Sequence, residues 1–493
     1  MSSLSKKKLF GTNGIRGIFG SDLSIEFIID VTYSIGSFFN KGPIVIGYDG
    51  RSSSFAISKI VGSTLMSLGI DVYNMGLTPT PCLQFTVKNS KYAGGIMITA
   101  SHNPPEYNGL KPISNTGIEL SREEEATIED IYYQRRFLKP KSNNFGNLYS
   151  LHDALEKYID KVLSFIDIES VKSNKFKIVM DFGNGVQSLV SSLIAKKLGC
   201  EILTLNGNID GDFSARGSEP KMDNLTNLTE MVKRTNADLG VAYDGDGDRS
   251  IFCDEQGIIH WGDKTGAILT YYLIKYKKLK TSVICPINSS TIISNICMNL
   301  ENELIFTKVG SVEVTHTMKN KNSIIGFEEN GGFFYGLLNY VRDGAITTAL
   351  ILEMLSYYKQ NPSALNSFPS STSSSSSSAS KDDKDNNTID SKVSLSEIFK
   401  IFDNTFQYKS SLKLSNIEDI PKVLDLCKSH GSVKKIDSID GIKIWFDNDS
   451  WIMFRPSGTE PLLRIYAESD DKSLLDSKIK EYYALIKNSF SLK

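Results

Sequence analysis

Strand-like and helix-like segments alternate along most of this chain, and that alternation narrows the available folds more than any other feature. The runs at 44–47, 71–74, 92–98, 176–181, 237–243, 250–253, 282–285 and 324–326 are apolar and read as strands, whereas 155–165, 350–358 and 395–402 carry helical patterning. Such alternation implies α/β domains with parallel or mixed sheets. At 493 residues the chain is too long for one core, and three or four domains are expected. Three α/β units are visible, at 1–150, 151–254 and from 255 onward. The tract 366–392 is serine-rich and then charged, with little to bury, and is predicted to be a disordered surface excursion.

Polar loops punctuate the strand-like runs. Ile98-Thr99-Ala100-Ser101-His102-Asn103-Pro104-Pro105 follows the buried run 92–98, so Ser101 is expected at a strand's carboxyl end, where α/β sheets place their ligands. An isolated serine there reads as a cap. The other loops of the chain favour a serine that carries phosphate. Asp244-Gly245-Asp246-Gly247-Asp248-Arg249 sets three carboxylates at alternate positions, with glycines that let the backbone wrap a hard cation. Mg²⁺ prefers oxygen ligands and completes its shell with water and phosphate oxygens, so three carboxylates and one phosphate make a sensible set. A Ca²⁺ loop of the EF-hand type would use Asp244, Asp246, Asp248 and Glu255, but Arg249 stands where its turn glycine belongs, and strands rather than helices flank the loop. Arg249 can brace these carboxylates and grip an anion through two parallel hydrogen bonds. Near the carboxyl end, Phe454-Arg455-Pro456-Ser457-Gly458-Thr459-Glu460-Pro461, with Arg464 just beyond, collects hydroxyls, free N–H groups and two arginines around one turn, a composition suited to phosphate.

Bulk properties exclude several classes. The formal net charge of −2 advertises no global basic field for nucleic acid. Residues 1–8 lead into Gly11-Thr12-Asn13-Gly14 rather than an apolar core, so no signal peptide is expected; no apolar stretch is long enough to span a bilayer, and a cytoplasmic enzyme with no membrane partner is the expectation. The six cysteines are scattered without a Cys-x-x-Cys pair and read as reduced thiols.

Taken in order, Gly11-Thr12-Asn13-Gly14-Ile15-Arg16-Gly17, Thr99-Ala100-Ser101-His102-Asn103-Pro104, the triple-aspartate loop, Gly326-Phe327-Glu328-Glu329-Asn330-Gly331-Gly332 and Arg455-Pro456-Ser457-Gly458-Thr459-Glu460-Pro461 resemble the motifs of the α-D-phosphohexomutase superfamily over nearly the whole chain. The resemblance implies three related α/β domains with mixed sheets (1–150, 151–254, 255–411) and a smaller α+β domain (412–493) around one cleft. It also implies a mutase that interconverts hexose 6-phosphate and hexose 1-phosphate, primed by hexose 1,6-bisphosphate. Ser101 would be the phosphoserine and, with Asp244, Asp246 and Asp248, would ligate Mg²⁺. Arg16, Lys111 and His102 would be catalytic; Lys111 suits proton transfer because a buried lysine can lose its charge, which arginine does not. Arg249, Lys308, Gly310, Glu328 and Asn330 would contact the sugar phosphate, and Arg455, Ser457, Gly458, Thr459 and Arg464 the distal phosphate. Holding that remote phosphate lets binding energy orient the reacting end.

The family's Gly-x-Glu-x-Ser-Gly-His pattern departs here: Asn330 stands for the serine and Gly332 for the histidine, so no histidine can act at that place. The glycine-rich form is similar to the archaeal-type branch, whose members act on glucosamine, mannose or glucose phosphates; Gly-Thr-Asn-Gly-Ile-Arg-Gly favours glucosamine, with a mutase of broad phosphomannose and phosphoglucose specificity as the alternative. A phosphosugar sensor without catalysis would keep the binding loops while losing Ser101 or the aspartates, and both are present. A Ser-His hydrolase is disfavoured, because adjacent side chains such as Ser101 and His102 do not naturally pair and no Gly-x-Ser-x-Gly elbow occurs. A last domain joined through a single linker is expected to move.

Overall fold

Strands, the central ones apolar and buried on both faces, organise the chain into four sheets in succession. The protein is described as a computed structural model covering residues 8–11, 13–40, 42–139, 142–368, 393–431, 433–457 and 462–490. The first sheet contains β1 (Ile15–Ile18), β2 (Ile44–Tyr48), β3 (Val72–Leu77), β4 (Gly94–Ile98), β5 (Tyr107–Ser114) and β6 (Leu148–Ser150), in the order β1-β5-β4-β2-β3-β6. The second contains β7 (Lys177–Asp181), β8 (Glu201–Leu205), β9 (Leu239–Tyr243), β10 (Ser250–Asp254) and β11 (Ile259–His260), in the order β11-β10-β9-β7-β8. In the third, β12 (Val283–Pro286), β13 (Leu304–Thr307), β14 (Ile325–Phe327) and β15 (Phe333–Tyr335) run β13-β12-β14-β15. These three sheets are mixed. Each has a parallel centre with antiparallel strands added at one edge.

The fourth sheet is wholly antiparallel: β16 (Phe406–Lys413), β17 (Lys435–Asp437), β18 (Ile442–Trp445), β19 (Trp451–Pro456) and β20 (Leu462–Ser469), ordered β16-β20-β19-β18-β17. Helices Ile420–Lys428 and Lys472–Ser489 contribute to its core through Val423, Cys427, Leu475, Ile479 and Tyr482. The fold is therefore the α/β architecture with a closing α+β unit that the sequence implies. The sheet edges shift its boundaries: β11 pairs with β10, so the second sheet extends to His260, past 254, and β16 opens the fourth at Phe406 rather than 412. Residues 366–368 also depart from the expected disorder. They close the 3₁₀ turn Pro362–Ser367, and the Phe368 ring stacks 4.2 Å from that of Tyr271. The remainder of the predicted insert, 369–392, lies outside the described residues.

One topological detail places the site. In all four sheets an adjacent antiparallel pair is joined by a functional loop: β4 to β5 carries Ser101, β9 to β10 the aspartates, β14 to β15 Glu328, and β19 to β20 Ser457. The pairs closing these loops are Ile98 with Leu110, Tyr243 with Ser250, Phe327 with Phe333, and Pro456 with Leu463. The helix Gly344–Gln360, buried almost all round, belongs to the core shared by the first three units, so their hairpins rest on one frame. Its first turn is capped by Asp343, which accepts hydrogen bonds from the Ala345 and Ile346 amides and from the Tyr158 hydroxyl. No helix among the described residues is long and apolar enough to cross a membrane.

Candidate active site

Ser101 lies at the end of β4 with a positive φ of 52°, a conformation costing roughly 1–2 kcal/mol for a residue with a Cβ. The loop sustains it by hydrogen bonds. The Ser101 amide donates to Thr99 Oγ1 at 2.8 Å, and Thr99 Oγ1 donates to Asp49 Oδ2 at 2.7 Å. Arg51, fully buried, donates through Nε to Asp49 and through its two Nη groups to the carbonyls of Ser101, Asn103, Pro104 and Tyr107 at 2.6–3.0 Å. Asp49 and Arg51 are missing from the sequence-derived set. Their signal was a charged pair immediately after the apolar run of β2.

The turn aims Ser101 Oγ at the second loop, 3.2 Å from Asp244 Oδ2. Ligand atoms of Asp244, Asp246 and Asp248 lie within 4.8 Å of one another, and all three residues are buried. Each carboxylate is anchored by a further hydrogen bond. Asp244 Oδ1 accepts the Arg249 amide at 3.1 Å, Asp246 Oδ2 the Thr80 hydroxyl at 2.6 Å, and Asp248 Oδ2 an Arg342 Nη at 2.6 Å. Asp246 Oδ1 and Asp248 Oδ1 are buried and have no hydrogen-bond partner. Buried carboxylate oxygens left open beside a serine hydroxyl fit a hard divalent cation. The electrostatics agree. Burial and its two aspartate neighbours push the Asp244 carboxyl well above the usual range, whereas Arg342, Lys111 and Arg249 overcome burial and hold Asp248 below it. A bound cation would favour the ionised form of these carboxylates.

Cations surround the anionic position. Arg249 is buried, with Nε 3.8 Å from Asp244 and 3.9 Å from Asp248. Arg16, on β1, donates to the Ala100 carbonyl and to Asn103 Oδ1; burial lowers its pKa to about 10, so it stays charged. Lys111, on β5, is 2% exposed, and its Nζ lies 3.6 Å from Glu119 and 3.5 Å from Asp248. Its immediate partners are these two carboxylates. His102 also departs from expectation: its Nδ1 comes within 3.3 Å of Ser101 Oγ. Burial and the charges of Arg249, Arg16, Arg342 and Arg464 push its pKa well below the ordinary value, leaving a neutral imidazole.

Glu328 reaches the same cleft, buried, with its carboxyl pKa raised by burial and its Oε2 3.5 Å from Arg342 Nη1. Asn330 Oδ1 instead accepts the Gly332 amide at 3.2 Å and shapes its own loop. Gly310 caps the helix Ser311–Lys321 with a φ of 140°, while Lys308 is exposed just before it. Arg455 bridges the third and fourth units, donating to Asp440 at 2.5 Å and to the Val309 carbonyl at 3.2 Å. Arg464 lies opposite it across β19 and β20. The Ser457 amide donates to the Leu462 carbonyl at 2.7 Å; Gly458 and Thr459 lie outside the described residues. Sequence reading also missed Thr80 and Arg342, which meet the site through contacts more than 90 residues away in sequence, and Glu119, which meets it through nearby Lys111.

Comparison with known proteins agrees with this arrangement. The chain matches all four parts of the phosphoglucomutase/phosphomannomutase description: alpha/beta/alpha domain I over 7–139, domain II over 156–257, domain III over 261–370 and the C-terminal domain over 410–482. It is 37% identical to a phosphoglucosamine/phosphogalactosamine mutase of Sulfurisphaera tokodaii, over 97% of this chain and 99% of that protein. It is 34% identical to a phosphoglucomutase/phosphomannomutase of Thermococcus kodakarensis, over 97% of each. A crystal structure of a phosphoglucomutase/phosphomannomutase family protein from Burkholderia thailandensis shares the fold, with a TM-score of 0.79 at 21% identity over 98% of this chain and 99% of that one. The chain belongs to the phosphoglucomutase/phosphomannomutase family and is a phosphohexomutase, an isomerase that catalyses phosphoryl transfer within a sugar.

Proposed function

We propose that this enzyme interconverts glucosamine 6-phosphate and glucosamine 1-phosphate through a phosphorylated Ser101 and a bound hexose 1,6-bisphosphate. The observation that carries the reading is Ser101 Oγ, 3.2 Å from Asp244 beside the open oxygens of Asp246 and Asp248. The 37% identity to an amino-sugar phosphate mutase supports glucosamine.

Phosphoserine 101 gives its phosphoryl group to a sugar hydroxyl: the bond from phosphorus to Ser101 Oγ breaks, one from phosphorus to the sugar oxygen forms, and the hydroxyl proton leaves. After the bisphosphate reorients, its other phosphoryl returns to Ser101. Such transfer depends mostly on positioning and charge neutralisation. Asp244, Asp246 and Asp248, with a phosphate oxygen on Ser101, would hold Mg²⁺, which supplies Lewis-acid polarisation of the phosphoryl group. Arg16 and Arg249 add positive charge around that position, Lys111 is the candidate to carry the hydroxyl proton, and the His102 imidazole lies 3.3 Å from Ser101 Oγ. Glu328 would accept hydrogen bonds from sugar hydroxyls. Arg455, Arg464 and Ser457, with Gly458 and Thr459, would hold the distal phosphate; Lys308, Gly310 and Asn330 would contact the sugar phosphate. The reading extends to a cytoplasmic enzyme whose partner is a small phosphosugar rather than nucleic acid or membrane, supported by the near-neutral net charge of −2.

The test is phosphorus NMR of the protein with Mg²⁺, a trace of the matching hexose 1,6-bisphosphate, and the 1-phosphates of glucosamine, mannose and glucose in turn. Conversion to the 6-phosphate, fastest for glucosamine and absent in Ser101→Ala, is expected. Faster turnover of mannose or glucose would assign the broad specificity named for the Thermococcus relative, and full turnover by Ser101→Ala would remove the mechanism.

A further inference from the structure

The sugar loop ends in two glycines, and the second leaves a space that another side chain fills. A Cβ on Gly332 would stand 2.4 Å from Arg342 Cδ and 2.8 Å from its Cγ, separations that real Cβ atoms do not adopt. Arg342 arrives there because it bridges to Phe334 alongside β15, while the next residue, Asp343, donates its amide to the Phe333 carbonyl. The guanidinium is 5% exposed. Its Nη2 donates to Asp248 Oδ2 at 2.6 Å, and its Nη1 lies 3.5 Å from Glu328 Oε2. One rigid fork thus joins the metal loop of the second unit to the sugar loop of the third. The loops also meet through the backbone, where the Ser250 amide donates to the Gly331 carbonyl at 3.0 Å.

We propose that Arg342, seated in the space left by Gly332, is the positioning residue that locks the sugar loop onto the metal loop and so sets Glu328 relative to Ser101. A planar fork suits two carboxylates on different loops, and lysine cannot grip both. Glycine at 332 is a steric requirement of that contact. The inference rests on the mutase reading for what Glu328 does, but not for where Glu328 is held.

The test is a double-mutant cycle of Gly332→Ala and Arg342→Ala, read by turnover and by hydrogen–deuterium exchange of the segment 326–335. Arg342→Ala should lower kcat/KM about 100-fold, the order expected when a reacting geometry is lost, and Arg342→Lys should recover part of it. Gly332→Ala should be damaging with Arg342 in place, yet change turnover and exchange by less than about twofold when Arg342 is already alanine. Equal damage in both backgrounds, or none in either, overturns the inference. If the wild type converts none of the sugar phosphates, the functional reading falls while the exchange cycle still decides whether Arg342 holds the loop. Gly332→Ser repeats the steric arm should Gly332→Ala fold poorly.

Discussion

Arg51 commits its buried guanidinium to Asp49 and four loop carbonyls, so the Ser101 turn is folded around its side chain. Replacing it with methionine leaves Asp49 buried without its cation, a loss of about 3–5 kcal/mol for a broken buried pair, and releases the Ser101 turn. Thermal unfolding and turnover of Arg51→Met should both fall, and Arg51→Lys should rescue stability more than turnover, because an ammonium cannot reproduce the five-donor fork. At the aspartates the sign is set by ligand binding. Mg²⁺ should raise the melting temperature of the wild type, since a cation held by the three aspartates would bind the fold and not the unfolded chain. Asp246→Asn should lose that increment and lower kcat by about 100-fold while shifting KM little; an unchanged Mg²⁺ response would exclude the open Asp246 oxygen as a ligand. Ser101 and the aspartates were legible in the sequence because their chemistry is written in consecutive residues. Arg51, Thr80 and Arg342 were not, because each acts on a loop that only the fold brings near.

At the scale of elements, strands were legible and their partners were not. Apolar runs marked β2, β4, β7, β9 and β12 closely, but nothing in the short run of β11 told that it would join the second sheet, nor in the mixed polarity of β16 that it would open the fourth. The shared placement of the four functional loops, each between adjacent antiparallel strands, was equally hidden, because the units carry no repeat visible in the sequence. The β19–β20 hairpin shows what such placement costs. Arg455 and Arg464 sit directly opposite, and like charges across a strand pair destabilise it unless an anion intervenes. Arg464→Gln should therefore leave the melting temperature in phosphate-free buffer unchanged or higher. It should reduce the increment that inorganic phosphate gives the wild type, and raise KM for the phosphosugar about tenfold or more, as expected for a lost charged hydrogen bond. A large stability loss with unchanged KM would make Arg464 structural.

On the scale of the whole molecule, the fourth unit is moored to the third by an apolar cluster, Ile287 and Phe306 against Trp451, Met453 and Tyr466, and by polar contacts around it. Arg455 reaches the Val309 carbonyl, Thr291 donates to Glu468, Gln407 to Asp263, and Lys409 to Glu329, so the distal phosphate loop is tied to the sugar loop's own unit. Lys443 is the least ordinary of these moorings. It is buried on β18, its Nζ donates to the Ile287 carbonyl at 2.8 Å, and it lies 3.7 Å from the Trp451 ring and 4.5 Å from that of Trp445. Burial pushes its pKa down to about 7, against the pull of Glu468, Cys285 and Asp437, with Lys435 adding to the fall. Below that value folded and unfolded chains both hold the proton, and the cost of a buried ammonium is constant. Between about 7 and the ordinary 10.5 the unfolded chain keeps a proton that the folded chain has released, so stability attributable to Lys443 rises with pH. Lys443→Met has no such proton. The wild type should therefore gain melting temperature relative to Lys443→Met between about pH 6 and pH 9.5, and a difference independent of pH would mean that the ammonium remains charged between the two indoles throughout.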